Sequence, residues 1–290
     1  MSALRLALRG ALLAVSLSGI TALARAQTAS ADSAWHEVGR VLQTPAVATG
    51  GYQRFNFPRR DVTVSPAIAL GGWAGFAGSP ANAMVMGDLV VTRAELKPVL
   101  AELARQRLDV TSIHNHLAGE QPSITYVHFH AEGGALDLAR RLDRVVSLTA
   151  APRPVTAATP TPLAIDTARV FRALGTSGRA QGNVAQLSFM LVKEPVTMHG
   201  KPLVPALAYG SPVNLQMVDA NRAVATGDFS VLEAHVAPVV GALAQHGITA
   251  TAVHSHLVGE RPRVYYIHFW ADAPMDEVLR GLKAAIDAGQ

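Results

Sequence analysis

TSIHNHLAGEQPSITYVHFH (residues 111–130) and TAVHSHLVGERPRVYYIHFW (residues 251–270) are two versions of one segment, 140 positions apart in a single register. Ten of the twenty positions are identical, among them His114/His254, His116/His256, Gly119/Gly259, Glu120/Glu260, Pro122/Pro262 and His128/His268. In each copy two stretches with strand-like alternation flank a short loop containing Gly and Pro, which predicts a hairpin. A strand rises about 3.3 Å per residue and alternates faces, so His114 and His116 are predicted on one side, roughly 7 Å apart. His128 and His130 share a parity on the returning strand, and the two pairs meet on one surface if the register allows.

Working outward, the flanking elements repeat as well. Each copy opens with a short amphipathic helix, WHEVGRVL (35–42) and TARVFRAL (167–174), followed by an alternating strand, GYQRFNF (51–57) and NVAQLSFML (183–191). A strand is then read as ending in Gly-Asp, at Gly87-Asp88 and Gly227-Asp228, with a turn after it. Helices TRAELKPVLAELARQR (92–107) and SVLEAHVAPVVGALAQHG (230–247) follow, and both Thr92-x-x-Glu95 and Ser230-x-x-Glu233 fit a capping box. Pro98 and Pro238 lie inside these helical patterns, which predicts either a kink or a later start. Last helices are read at 135–146 and 275–286. The order α-β-β-β-α-β-β-α predicts an α+β unit, an α/β-sandwich-like sheet, mixed or antiparallel, with helices on one face. Two such units make an internal duplication with a pseudo-two-fold.

Domain bounds follow from composition. Residues 1–26, MSALRLALRGALLAVSLSGITALARA, have the layout of a secretory signal peptide: Arg5 and Arg9, a short apolar run, and a small-x-small end. Repeat 1 is then 27–148, a Pro/Ala/Thr-rich linker 149–163, and repeat 2 164–290. The reading places the protein in the periplasm or outside the cell, with no stable membrane insertion once the leader is cut. Removing Arg5, Arg9 and Arg25 with the leader brings the formal charge from +4 to about +1, so the basic balance is no nucleic-acid footprint. The chain has no cysteine. Disulfides, thiol nucleophiles and a lipidated N-terminal Cys are excluded, and stability has to come from burial.

The segments VMGDLVV, VTSIHNHLAGEQPSITYVHFH and its second copy resemble the LppY/LpqO family, which carries a domain of unknown function catalogued as DUF1259. The shared features are Gly-Asp before a helix with an internal Pro-Val, then His-x-His-x-x-Gly-Glu-x-Pro and an aromatic-flanked His-Phe. The resemblance covers nearly the whole chain after the leader and implies an exported bacterial protein. It implies no reaction. Some members are named as lipoproteins, a trait that a chain without cysteine does not share.

The repeated residues define the candidate site. His114, His116 and His128, with His254, His256 and His268, are candidate ligands for a divalent transition metal, since imidazoles with a nearby carboxylate suit Zn, Cu, Mn or Fe. His-x-His-x-x-x-Glu is similar to the first metal motif of cupins, although at least four helices argue against their barrel. Glu120 and Glu260, in the hairpin loops, are candidates for the catalytic base of a metal-assisted hydrolysis, or for holding the loop. Asp88 and Asp228 are candidates to orient a histidine from the second coordination shell. His130, which becomes Trp270 in the second copy, and Trp73 are candidate pocket residues. Met84 and Met86 read as core. Three readings stay open: a metal site, a metal-free groove for an unknown small ligand in a non-catalytic module, and a structural pseudo-dimer. No Gly-x-Ser-x-Gly, Walker loop, His-Glu-x-x-His or dinucleotide fingerprint is present.

Overall fold

The computed structural model describes residues 32–62, 68, 70–155, 165–181 and 183–290. The leader at 1–26 and residues 156–163 of the linker lie outside the described residues. Repeat 1 runs α1 (32–42), β1 (Val47–Thr49), β2 (Tyr52–Pro58), β3 (Gly71–Ser79), β4 (Asn82–Thr92), α2 (Arg93–Arg105), β5 (Asp109–His114), β6 (Ile124–Gly133) and α3 (Ala135–Val146). Repeat 2 begins with α4 (Thr167–Leu174), β7 (Gly178–Gln181) and β8 (Val184–Phe189). An insertion carrying β9 (Thr197–Met198), β10 (Lys201–Pro202) and α5 (Pro205–Ala208) follows. The repeat closes with β11 (Ser211–Met217), β12 (Arg222–Val231), α6 (Glu233–Gln245), β13 (Thr249–His254), β14 (Glu260–Arg261), β15 (Tyr265–Pro274) and α7 (Met275–Ala288).

Each repeat builds one six-stranded sheet, ordered β1-β2-β3-β4-β6-β5 and β13-β15-β12-β11-β8-β7, with every neighbouring pair antiparallel. In both, the last strand enters between the two strands that flank the long helix, β6 between β4 and β5, β15 between β12 and β13. The long helix therefore makes a split β-α-β crossover. This is the α+β duplication read from the sequence, with the sheets antiparallel.

The helices cover one face of each sheet. On α3, Leu138, Ala139, Leu142, Val145 and Val146 fall at helical spacing and are buried with Val127, Phe129, Leu89 and Val85 of the sheet. On α7, Val278, Leu279, Leu282, Ala285 and Ile286 do the same against Ile267, Phe269 and Ala225. Alternation sends Tyr126, His128 and His130 to the opposite face of β6, and Tyr266 and His268 to that of β15. Those two faces meet. One mixed cluster joins Tyr52, Ala77 and Met86 of repeat 1 to Leu203, Leu207, Leu257, Val264 and Tyr266 of repeat 2. Its counterpart joins Ile68, Val90, Leu117, Ile124 and Tyr126 to Val224 and Trp270. The layers are helices, sheet, sheet, helices, with the histidines in the central seam.

Two local expectations are corrected. Gly87-Asp88 and Gly227-Asp228 are not strand ends: β4 continues to Thr92 and β12 to Val231, both paired throughout with the histidine strands. The glycine serves packing instead. A Cβ on Gly87 would stand 2.5 Å from Phe129 Cζ, and one on Gly227 2.9 Å from Val213 Cα with the Pro212 carbonyl closer still. The next residue, Asp88 or Asp228, then points into the seam. Second, Ser230 caps no helix. It is buried in β12, donates from Oγ to Gly210 O at 3.0 Å, and α6 starts after Leu232 without a side-chain cap. The Thr92 cap is real: the Glu95 carboxylate accepts the Thr92 backbone N–H at 2.8 Å and hydroxyl at 2.9 Å. Pro98 and Pro238 sit at the sixth residue of α2 and α6, inside helices that start at residues 93 and 233.

Candidate metal centre

Register delivers the site. In repeat 1, β6 pairs His128 with Ser112 on β5 and with Asp88 on β4, so all three occupy one face. In repeat 2, β15 pairs His268 with Ala252 on β13 and with Asp228 on β12. His114 and His254 are the last residues of β5 and β13. His116 and His256 lie just beyond, in the loop, where the chain has left the strand. This shortens the predicted separation: the His114 and His116 rings are 4.9 Å apart, as are those of His254 and His256.

The two repeats interleave these rings. His114 lies 4.6 Å from His254 and 4.1 Å from His268, His116 lies 4.1 Å from His268, and His128 stacks on His256 at 3.8 Å. Tyr126 and Tyr266 wall the cluster, the second stacking on His256 at 3.8 Å. Potential donor atoms of His114, His254, His256 and His268 all fall within 4.8 Å of one another. The same holds for Asp88, His114 and His128, and for His116, Asp228 and His268. These His/Asp groups could hold a metal ion.

The hydrogen bonds give the cluster a direction. His268 Nδ1 meets Asp228 Oδ1 at 2.7 Å, which leaves His268 Nε2 facing His256 Nε2 at 3.0 Å. A carboxylate on the far ring nitrogen is the usual way to fix a metal-binding imidazole. His116 Nδ1 stands 3.6 Å from the same Asp228 oxygen. Other buried polar atoms have no hydrogen-bond partner: both nitrogens of His114, His116 Nδ1, His128 Nε2, His254 Nε2 and Asp88 Oδ1. Leaving such atoms unmatched costs about 1–3 kcal/mol each. Their concentration in one place gives the seam an unusual excess of unpaired donor atoms.

Electrostatics agree. Burial holds all six imidazoles neutral, with His116 lowered to about 3 and His128, His256 and His268 well below the ordinary histidine value. Burial also pushes Asp88 up to about 8, helped by the facing Asp228, which is itself raised by burial. Neutral imidazoles with free lone pairs, and carboxylates short of a counter-charge, are what a cation needs. Arg54, stacked over Trp73 at 4.4 Å, opposes part of the rise at Asp88 through its charge.

A wide, open groove of about 650 Å³ lies beside this cluster between the edge strands β5 and β13. Its lining runs Ile113, His114, Asn115, Leu117 and Ala118 on one side and Thr249–His254 on the other. Ile113 and Val253 flank it as exposed apolar side chains.

The remaining candidates lie around the cluster. Glu120 accepts the Ile124 N–H at 3.0 Å, and Glu260 accepts Val264 N–H and Ser255 Oγ–H, each at 3.2 Å. Both carboxylates thus brace their own hairpin loop, and Glu260 Oε2 is buried without a partner. His130 faces Glu132 at 4.0 Å, away from the donor groups, and Trp270 packs in the seam. Met84 and Met86 are in the apolar seam cluster. Sequence reading missed Ser112, whose Oγ lies 2.8 Å from His254 Nδ1 of the other repeat. It also missed Thr251, which donates to His116 O at 3.2 Å, and the two tyrosines. Tyr126 and Tyr266 were findable, being identical in both copies and on the parity of the histidines.

The fold and the site define a class: a duplicated α+β protein with an imidazole-rich donor cluster between its repeats. A family described as Domain of Unknown Function (DUF1259) matches residues 36–148 and again 168–288. The chain belongs to that family and carries two tandem copies of its domain. No curated protein matches the chain. Among the described residues no helix is long and apolar enough to cross a membrane.

Proposed function

We propose that this protein is exported and binds a divalent transition metal between its repeats, through His254, His256 and His268 with His114 in the same cluster. The observation that carries the proposal is the set of buried imidazole nitrogens without hydrogen-bond partners, gathered from both repeats around the Asp228–His268 pair. Imidazole donors favour Zn, Cu or Fe over Mg or Ca. The leader-like segment at 1–26 supports export.

An ion with three imidazole donors and a position left open is the arrangement that activates water in hydrolytic enzymes. Metal-assisted hydrolysis is therefore the chemistry we assign, with a loop glutamate as proton acceptor. Of the two, Glu260 keeps one buried oxygen, Oε2, without a partner. The groove beside His114 and His254 supports a small-molecule substrate. Elemental analysis of untagged residues 27–290, before and after chelation, tests the reading. A stoichiometric transition metal, lost in His256→Ala without loss of near-native circular dichroism, supports it. A metal-free protein whose Tm does not move with zinc, copper, manganese or iron contradicts it.

A further inference from the structure

We infer that the seam holds two metal ions side by side, the second bound by Asp88, His114 and His128 of repeat 1. The first is the ion already assigned to His254, His256 and His268 of repeat 2, so the inference rests on that reading and deepens it.

Two of the donor clusters overlap at His114 alone, one adding His254, His256 and His268 of repeat 2 and the other Asp88 and His128 of repeat 1, while a third joins His116 to Asp228 and His268. Donors of His254, His256 and His268 lie within 4.8 Å of one another, and so do those of Asp88, His114 and His128. A single ion on His114, His254, His256 and His268 would leave Asp88 Oδ1 and His128 Nε2 buried with no hydrogen-bond partner. Each buried atom left unpaired in this way is unfavourable. A second ion satisfies both atoms at once. His114 belongs to both clusters, which makes the two positions neighbours. Asp228 is already engaged with His268 at 2.7 Å and serves the first set by orienting that ring. Asp88 Oδ1 makes no hydrogen bond, standing 3.8 Å from His128 Nε2, and is available as a ligand.

Three protein donors per ion leave positions open on each. Paired ions about 3.5–4 Å apart, both open on one side, clamp a single bridging group. The groove between β5 and β13 is lined by His114 and His254, one residue from each set, and among the described residues by no Asp, Glu, Lys or Arg. The ligand class that would fit is a small molecule with an apolar part beside Ile113 and Val253 and an oxygen donor that the paired cations would attract.

Titration of chelated protein with Zn(II) by calorimetry, and with Co(II) by absorption, tests the pair of sites. Two equivalents are expected for the unsubstituted chain. One equivalent is expected for Asp88→Asn and for His128→Gln, with the Co(II) bands of the first site retained. One equivalent in the unsubstituted chain, or two in both variants, overturns the second ion while leaving the first in place. No binding at all overturns both. Asp88→Asn is isosteric and carries the test alone if His128→Gln loses its native circular dichroism.

Discussion

At the scale of the residue, the site depends on which ring nitrogen is left free. Asp228 holds His268 by Nδ1, so Nε2 is the donor. Asp228→Asn keeps the shape and removes the charge, and should weaken Zn(II) binding by about 10- to 100-fold. Competition against a chromophoric chelator measures this, and unchanged affinity would mean that Asp228 does not orient the ring. Gly227→Ala brings a Cβ into the neighbouring strand and should cost about 1–3 kcal/mol in urea unfolding, with a stability equal to the parent as the contrary result. Much of this was legible. The His-x-His spacing and the matching His128 and His268 on the returning strands are in the sequence, whereas Gly-Asp reads there as a strand end. What was not legible was where the strand stops. Alternation continues through His116, yet β5 ends at His114, and that one step turns His116 toward Asp228 of the other repeat. Ser112 was hidden for a related reason: its partner is 142 residues away across the seam.

At the scale of the element, α2 shows how one carboxylate ties several parts together. Glu95 caps Thr92, accepts the Ala150 N–H at 2.8 Å at the start of the linker, and pairs with buried Arg59 at 2.8 Å. Burial alone would raise its pKa, but the Thr92 and Ala150 N–H groups and the Arg59 guanidinium outweigh burial and hold it below the usual carboxylate range. A lowered folded value means the contribution is complete above about pH 4.5 and is lost as pH falls through the lowered value. Glu95→Gln should cost about 2 kcal/mol at pH 7, less than a fully buried pair because Asp61 still engages Arg59. The gap in Tm between parent and variant should narrow as pH drops from 4.5 toward 3, and a gap constant over that range would contradict the assignment. The matching cap read at Ser230 failed because hydroxyl-x-x-Glu is satisfied by composition alone. In repeat 2 the strand pairing with β15 runs on to Val231 and claims the serine first.

At the scale of the whole molecule, duplication explains why donors of one type collect in the middle. Each sheet buries one face under helices, and the other face, which carries the histidines, finds its cover in the second copy. The repeat was plain in the sequence at a spacing of 140 residues, and so was the α+β class. That the two hairpins face each other was not, because nothing in the alternation of one sheet says what its second face meets. The interface also explains the sharing of roles: His128 of repeat 1 stacks on His256 of repeat 2, and His116 meets His268. Separating the repeats would therefore uncover both histidine faces and remove these contacts between them.

Anomalous diffraction at the zinc edge, from crystals of residues 27–290 grown with Zn(II), tests the central claim most directly. The account predicts a peak in the seam, about 2.0–2.1 Å from imidazole nitrogens of His254, His256 and His268. No peak in the seam, with zinc only at surface histidines such as His36 or His246, would contradict it.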